Sequence, residues 1–300
     1  MKYREAYNEG KAVLTAALVP EAGTDARLLL EFVCGTDRNT LLAHGDSDVT
    51  REQESRYREL VEKRSRHIPL QHLTGVQDFM GMEFAVNEHV LIPRQDTEIL
   101  VEEALQNLHD GMRILDMCTG SGCILISLLH YSNDCEGVGS DISEEALQVA
   151  EGNARKLLGD RALEVSAEDP GAMGESGEWR VRFVQGDLFE NVEGMFDMIV
   201  SNPPYIKSDV IDTLMPEVRD YEPRQALDGS EDGLLFYRRI LTECRRYLRK
   251  GGTLIFEIGY DQGEAVSRLM EEAGFLAVMV VRDYGGLDRV VCGTLGFGGE

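Results

Sequence analysis

"ILDMCTGSGCILISLL", Ile114 to Leu129, is the stretch whose reading decides the fold. An apolar run reaches Asp116, glycines follow at Gly120 and Gly122, and an apolar helix begins near Cys123. Glycine suits a turn where the backbone must reverse tightly and lie against a ligand with no Cβ in the way. About 25 residues on, "EGVGSD" ends a second strand at Asp141, whose carboxylate is suited to accept both hydroxyls of a ribose. Asp187, closing a third strand in "VQGDLF", has two readings: an acceptor for an adenine amino group, or a cap for the next turn. The order strand, glycine turn, helix, strand, acid implies an adenosine-containing cofactor held at one edge of a parallel sheet.

Working outward, strand-like runs "MRILDMC", "EGVGSDI", "VRFVQGDLF", "MFDMIVSN", "GTLIFEIG" and "FLAVMVVRD" alternate with helical text, as in a parallel sheet covered on both faces. "RVVCGTL" has no helix before it and is expected to return antiparallel. From Tyr3 to about His72 the spacing predicts helices, with Thr24 or Asp25 and Thr50 as N-caps. The third of them interleaves Arg51, Arg56, Arg58, Lys63, Arg64 and Arg66 with glutamates, a solvated face or a docking surface. Between Gln77 and Pro93, apolar alternation interrupted at Asn87 and Glu88 reads as a β-hairpin. The segment from Gly159 to Arg180 is long and polar for an internal connection and is expected to be a mobile loop anchored by Trp179. The expected domains are thus 1–76, helical; 77–93, a hairpin linker; and 94–300, an α/β domain.

The 300 residues carry 30 Lys+Arg against 54 Asp+Glu, a formal charge of −24, which disfavours a nucleic-acid partner. Six cysteines show no CxxC or His-linked spacing, so no metal site is expected. No run approaches the roughly 18 apolar residues of a membrane span, and MKYREAYNEG lacks a signal core. The expectation is a soluble cytoplasmic protein, by default a monomer.

Two cofactors fit the glycine turn. A nicotinamide dinucleotide needs a third glycine at the helix start, where Leu125 stands; S-adenosylmethionine has no pyrophosphate to hold. The fourth strand separates them. "MFDMIVSNPPY" delivers Asn202 to the carboxyl edge of the sheet, beside the cofactor site. The Asn202 side-chain oxygen and the Pro203 carbonyl can each accept one hydrogen of a planar NH₂ group. That grip aims the nitrogen lone pair at an electrophile and stabilises the positive charge growing on it. Pro203 and Pro204 stiffen the array, and Tyr205 offers a flat surface to a planar substrate. Transfer of a methyl group from S-adenosylmethionine to an amide or amino nitrogen follows. The tetrapeptide alone does not choose between glutamine and a nucleobase.

With "PLQHLTG" (Pro69 to Gly75), "LIPRQDTEILVE" (Leu91 to Glu102), "EPRQALDGSEDGL" (Glu222 to Leu234) and "FEIGYDQG" (Phe256 to Gly263), the chain resembles the release factor glutamine methyltransferases (PrmC/HemK) over nearly its whole length. The resemblance implies a Rossmann-like, seven-stranded, mostly parallel sheet behind a small helical domain. It implies methylation of the glutamine of the Gly-Gly-Gln motif in peptide chain release factors, with the helical domain docking the protein substrate. By it, Cys118, Thr119, Gly120, Ser121 and Gly122 wrap the methionine part of the cofactor, Asp141 holds the ribose, and Asp187 with Leu188 lines the adenine. Asn202, Pro203, Pro204 and Tyr205 grip the amide, Asn202 also bordering the cofactor. Arg94 and Thr97 help close the site, or serve as a salt bridge and a helix N-cap. Cys118 stands where many members have glycine and Gln95 where many have proline. The alternatives are a nucleic-acid adenine amino methyltransferase, a dehydrogenase, and a non-enzymatic cofactor-sensing scaffold.

Overall fold

The computed structural model describes residues 1–159 and 180–297, in two compact units. The loop expected between Gly159 and Arg180, with Trp179, lies outside the described residues. No helix among the described residues is long and apolar enough to cross a membrane.

The smaller unit comprises Met1–Val76 and Met215–Tyr221. Its helices are α1 (Tyr3–Ala16), α2 (Ala22–Cys34), α3 (Arg38–Ala43), α4 (Arg51–Ser65) and α5 (Leu70–Thr74). Leu14, Leu29, Leu30, Tyr57 and Leu60 are buried together, and each of the leucines contributes about 1.5–3 kcal/mol by leaving water. Thr50 caps α4 as expected, in a reciprocal pair with Gln53. The expected caps of α2 need correction. That helix starts earlier, after Glu21, and Thr24 and Asp25 lie in its first turn. Asp25 is committed elsewhere: its Oδ2 accepts from Arg64 Nε at 2.7 Å, and Arg64 Nη2 reaches Glu217 at 3.0 Å. Arg64 is therefore a buried ion-pair centre and leaves the basic face of α4, whose Arg56, Arg58, Lys63 and Arg66 pair with exposed glutamates.

In the larger unit, Gln77–Leu214 and Glu222–Glu300, the hairpin of β1 (Val76–Phe79) and β2 (Met82–Ala85) turns at Met80 and Gly81. Their φ values of 49° and 72° give the two left-handed positions of a tight hairpin. Asn87 makes a separate turn, its Oδ1 accepting from His89 N at 3.0 Å.

Then come α6 (Gln95–Asn107), β3 (Arg113–Met117), α7 (Cys123–His130), β4 (Glu136–Asp141), α8 (Glu144–Leu158), β5 (Arg180–Gln185), β6 (Phe196–Ser201), β7 (Leu248–Glu257), β8 (Phe275–Arg282) and β9 (Asp288–Leu295). The sheet order is β5-β4-β3-β6-β7-β9-β8, with β9 antiparallel to both neighbours and the other pairs parallel. Alternation distributes the core. Ile114, Met198 and Val200 pack against α6, α7 and α8, while Leu115, Ile199 and Leu254 meet the helices Leu235–Glu243 and Gly263–Glu272. Strand order reverses between β3 and β6, so a crevice opens at their carboxyl ends.

Candidate active site

The turn after β3 is built around backbone that few side chains tolerate. Cys118, Gly120 and Gly122 have φ of 62°, 55° and 78°. A Cβ on Gly122 would sit 2.9 Å from Ile126 Cδ1 and 3.2 Å from Ala150 Cβ, so glycine lets α7 pack on α8. Cys118 adopts the left-handed region with a Cβ, at a cost of about 1–2 kcal/mol. Hydrogen bonds hold the turn: Thr119 Oγ1 donates to Asp116 Oδ2 at 2.6 Å, and Thr119 N to Ser140 O at 3.0 Å. Buried Asn153 ties the turn to the hairpin, donating to Ser121 O at 2.9 Å and Ala85 O at 3.0 Å and accepting from Ala85 N at 2.7 Å.

Beside this turn lies a cavity of ≈ 230 Å³. Of the residues expected at the site, Arg94, Thr97, Cys118, Thr119, Gly120, Ser121, Asp141, Asp187, Leu188, Asn202 and Pro204 line it; Gly122, Pro203 and Tyr205 do not. Asp141 accepts from Gly120 N at 2.9 Å and Ser143 N at 3.0 Å, which fixes its carboxylate at the rim. Burial raises its pKa above the ordinary aspartate value. Asp187 is held by Arg239 Nη2 at 2.8 Å. Arg239 and Phe236 are wall residues the sequence reading missed. The buried Ser121 hydroxyl has no partner among the described residues.

Asn202 follows directly on β6. Its Nδ2 donates to Thr97 Oγ1 at 3.4 Å, which leaves Oδ1 as the acceptor free for another group. Thr97 is not the N-cap of α6: the helix begins at Gln95 after Arg94, and Thr97 sits inside its first turn, 2 % exposed. Arg94 forms the salt bridge, 2.6 Å from Glu222 Oε1. The distant motif blocks converge on the loop after Asn202. Gln262 Nε2 donates to Tyr205 O at 3.0 Å, Ile206 N donates to Leu227 O at 3.0 Å, and Gly229 N donates to Ile206 O at 2.8 Å. Gly229 lies so close that a Cβ would stand 2.8 Å from the Tyr205 Cα and carbonyl carbon.

Tyr205 turns its hydroxyl to Glu257 Oε1 at 3.4 Å. Glu257 is buried at the end of β7, and desolvation lifts its pKa to about 7, opposed by Thr97, Arg289 and Tyr205, which favour the charged form. Burial likewise lifts Asp116 to about 7 and pushes the Tyr205 phenol well up. Neither Glu257 nor Gln262 was singled out from sequence; their pattern, "FEIGYDQG", was visible, but the loop they support lies more than fifty residues away.

Residues 5–75 match the family model described as the PrmC N-terminal domain, and residues 108–282 one described as a methyltransferase domain. The chain is 37% identical to a release factor glutamine methyltransferase of Clostridium acetobutylicum, covering 99% of each. It is 40% identical to that of Moorella thermoacetica, over 96% of this chain and 97% of the relative. A solved methyltransferase of Pyrococcus furiosus superposes with a TM-score of 0.50 at 16% identity, over 79% of this chain and 99% of that one, a likeness of fold.

Proposed function

The chain belongs to the release factor glutamine methyltransferase family, and we propose that it methylates the side-chain amide nitrogen of the glutamine in the Gly-Gly-Gln motif of a peptide chain release factor. The methyl donor in this reading is S-adenosylmethionine, which supplies an electrophilic methyl carbon on a sulfonium. The cavity fits that molecule: Asp141 offers fixed carboxylate lone pairs for ribose hydroxyls, Leu188 and Phe236 offer apolar walls for a ring, and the unpartnered Ser121 hydroxyl offers a polar contact.

One observation carries the proposal. Asn202 borders the same cavity as Asp141, with its amide NH₂ occupied by Thr97 and its oxygen available. That oxygen, with the Pro203 carbonyl, accepts both hydrogens of a carboxamide NH₂ and directs the nitrogen lone pair toward the donor side of the cavity. Positive charge growing on nitrogen then meets two oxygen dipoles held in place beforehand. The proton leaves after transfer, when the nitrogen has become acidic, so no strong base is needed first.

In this reading residues 1–76 dock the protein substrate, the hairpin 77–93 links, and residues 94–300 carry out the chemistry, in a cytoplasmic monomer that needs no nucleic acid. The formal charge of −24 weighs against adenine in DNA. The test uses labelled S-adenosylmethionine and three acceptors: a release factor, the same factor with its Gly-Gly-Gln glutamine replaced by alanine, and duplex DNA. Label on the first alone is expected. Label on DNA, or equal label on the alanine variant, overturns the substrate assignment.

A further inference from the structure

The Asn202–Tyr205 loop has to present two oxygens at one spacing, yet it offers little backbone by which to be held. Pro203 and Pro204 carry no N–H, so the middle of the loop donates no backbone hydrogen bond. Its start is fixed by the sheet, where Ser201 pairs with Phe256 in the parallel β6–β7 ladder. Its end is fixed by acceptance. The Tyr205 carbonyl receives a hydrogen at 3.0 Å from the side chain of Gln262, which lies in the turn after β7 and immediately precedes the helix Gly263–Glu272.

The Gln262 amide is fully engaged. Nε2 donates to Tyr205 O at 3.0 Å and to Gly233 O at 3.2 Å, while Oε1 accepts from Gly259 N at 2.9 Å. The Tyr237 hydroxyl, which donates to the Glu257 carbonyl oxygen at 2.9 Å, stands 3.4 Å from the same Oε1. A single orientation of the amide serves these partners: a 180° flip would set Oε1 against two carbonyl oxygens and the NH₂ against the Gly259 N–H. With the side chain 6 % exposed, a lost contact is poorly replaced by water. Glycine lets the chain segments meet around it, since a Cβ on Gly233 would lie 2.7 Å from Gln262 Nε2.

We propose that Gln262 is a positioning residue for methyl transfer: its amide ties the Tyr205 carbonyl to the turn after β7 and to the Gly233 carbonyl, and thereby holds Asn202 Oδ1 and the Pro203 carbonyl at the spacing that one NH₂ requires. Gln262 does not line the cavity and acts through the loop alone. The peptide joining Tyr205 to Ile206 is gripped on both sides, its C=O by Gln262 and its N–H by Leu227 O at 3.0 Å. Without the first grip it can rotate about the second. The rings of Pro203 and Pro204 lock φ at both positions, so the loop moves as a stiff piece and a shift at the Tyr205 carbonyl is carried back to the Pro203 carbonyl. The remaining anchors, the β6 ladder and the Gly229 N bond to Ile206 O at 2.8 Å, keep the loop in place but not in register with the NH₂.

This inference rests on the proposed glutamine methylation for its catalytic readout, and a second readout is independent of it. Gln262→Met and Gln262→Leu keep apolar bulk and remove both the donors and the acceptor. Each is assayed with labelled S-adenosylmethionine on a release factor, at a temperature where its melting curve shows it folded. Each is expected to lower kcat by about 10- to 100-fold, the scale of a misplacement near 1 Å, with the release factor KM and the cofactor Kd held within about twofold. Met270→Ala opens the buried core farther along the same helix; it is expected to lower the melting temperature and to keep kcat.

The independent readout is hydrogen exchange in the protein without cofactor or substrate. The amides of Ile206 and Gly229 are expected to exchange faster in Gln262→Met than in the parent, while that of Gly120, which donates to Asp141, keeps its rate. The proposal is overturned if Gln262→Met turns over like the parent, if its loss lies in cofactor Kd rather than kcat, if Met270→Ala loses as much kcat for an equal fall in melting temperature, or if Ile206 and Gly229 exchange at parental rates. A parent that leaves glutamine unmethylated would refute the substrate reading, and the exchange rates then decide this one.

Discussion

Replacing Gly229 by alanine adds one methyl group at a point where its three nearest neighbours are backbone atoms. The new Cβ would lie 2.8 Å from Tyr205 Cα and carbonyl carbon and 2.9 Å from Gly233 Cα. Carbon atoms rest at about 3.5–4.0 Å, so the Asn202–Tyr205 loop and the Gly229 segment must part by about 0.7 Å or more. The φ of Gly229 is not in the left-handed region, so alanine brings no other backbone strain. The loop cannot yield freely, because Gln262 holds the Tyr205 carbonyl and Ile206 pairs with Leu227 and Gly229 on the same side. Overpacking of this kind costs about 1–3 kcal/mol of stability. A displacement near 1 Å at a group that orients substrate lowers turnover by up to about 100-fold, or roughly 1.4–2.8 kcal/mol in barrier for a 10- to 100-fold loss. Asp141, Leu188 and Ser121, which line the cavity from other loops, should keep their places. The assay pairs steady-state kcat with calorimetric cofactor Kd, at a temperature where the variant's melting curve shows it folded. A fall in kcat with Kd held within about twofold is expected. Unchanged kcat, or kcat and cofactor affinity lost together, refutes the idea that Gly229 acts by seating the Asn202–Tyr205 loop.

Asp141→Asn removes charge from an acceptor expected to face two hydroxyls; cofactor Kd should rise by about 10- to 100-fold, the scale of charge-assisted hydrogen bonds, with turnover at saturating cofactor less affected. Asp116, lifted from an ordinary carboxylate value to about 7 by burial, holds a proton in the folded protein over a range where the unfolded chain has released it. The stability this contributes is complete below the unfolded pKa and is lost as pH rises through about 7, a difference of roughly 4 kcal/mol; denaturant titrations of Asp116→Asn should show that much less decline between pH 4 and 8. In the helical unit, Arg64→Met strands Asp25, 2.7 Å from the guanidinium, and takes from Glu217 its contact at 3.0 Å, leaving Glu217 with His67 Nδ1 at 3.1 Å; it should destabilise by about 3–5 kcal/mol in urea. Replacing Asp25 and Glu217 by apolar residues as well should recover most of that loss; no recovery would contradict the ion-pair explanation.

The parallel sheet was legible because β3 and β6 are buried along nearly their whole length and carry mostly apolar text, and because the antiparallel β9 follows β8 with no crossover helix. The glycine turn was legible for a related reason: left-handed backbone narrows the choice of residue, and Gly120 and Gly122 satisfy it. What stayed hidden depends on contacts far apart in the chain. Asp25 looked like a helix cap because its type favours that position, yet a buried arginine thirty-nine residues later claims it. Thr97 looked like a cap for the same reason and instead receives the Asn202 amide. Glu257 and Gln262 read as the end of one strand and the approach to the next helix. The β6–β7 register and the hydrogen bonds of Tyr205 show that they stand behind the Asn202–Tyr205 loop.

The central claim is tested most directly by Asn202→Ala in single-turnover methyl transfer to a release factor, with cofactor occupancy measured on the same sample. The account predicts a rate at least about 100-fold lower, the scale for loss of a transition-state hydrogen-bonding group, at undiminished cofactor occupancy. A variant that transfers methyl at the parent rate, or that loses rate only in proportion to lost cofactor, would contradict it.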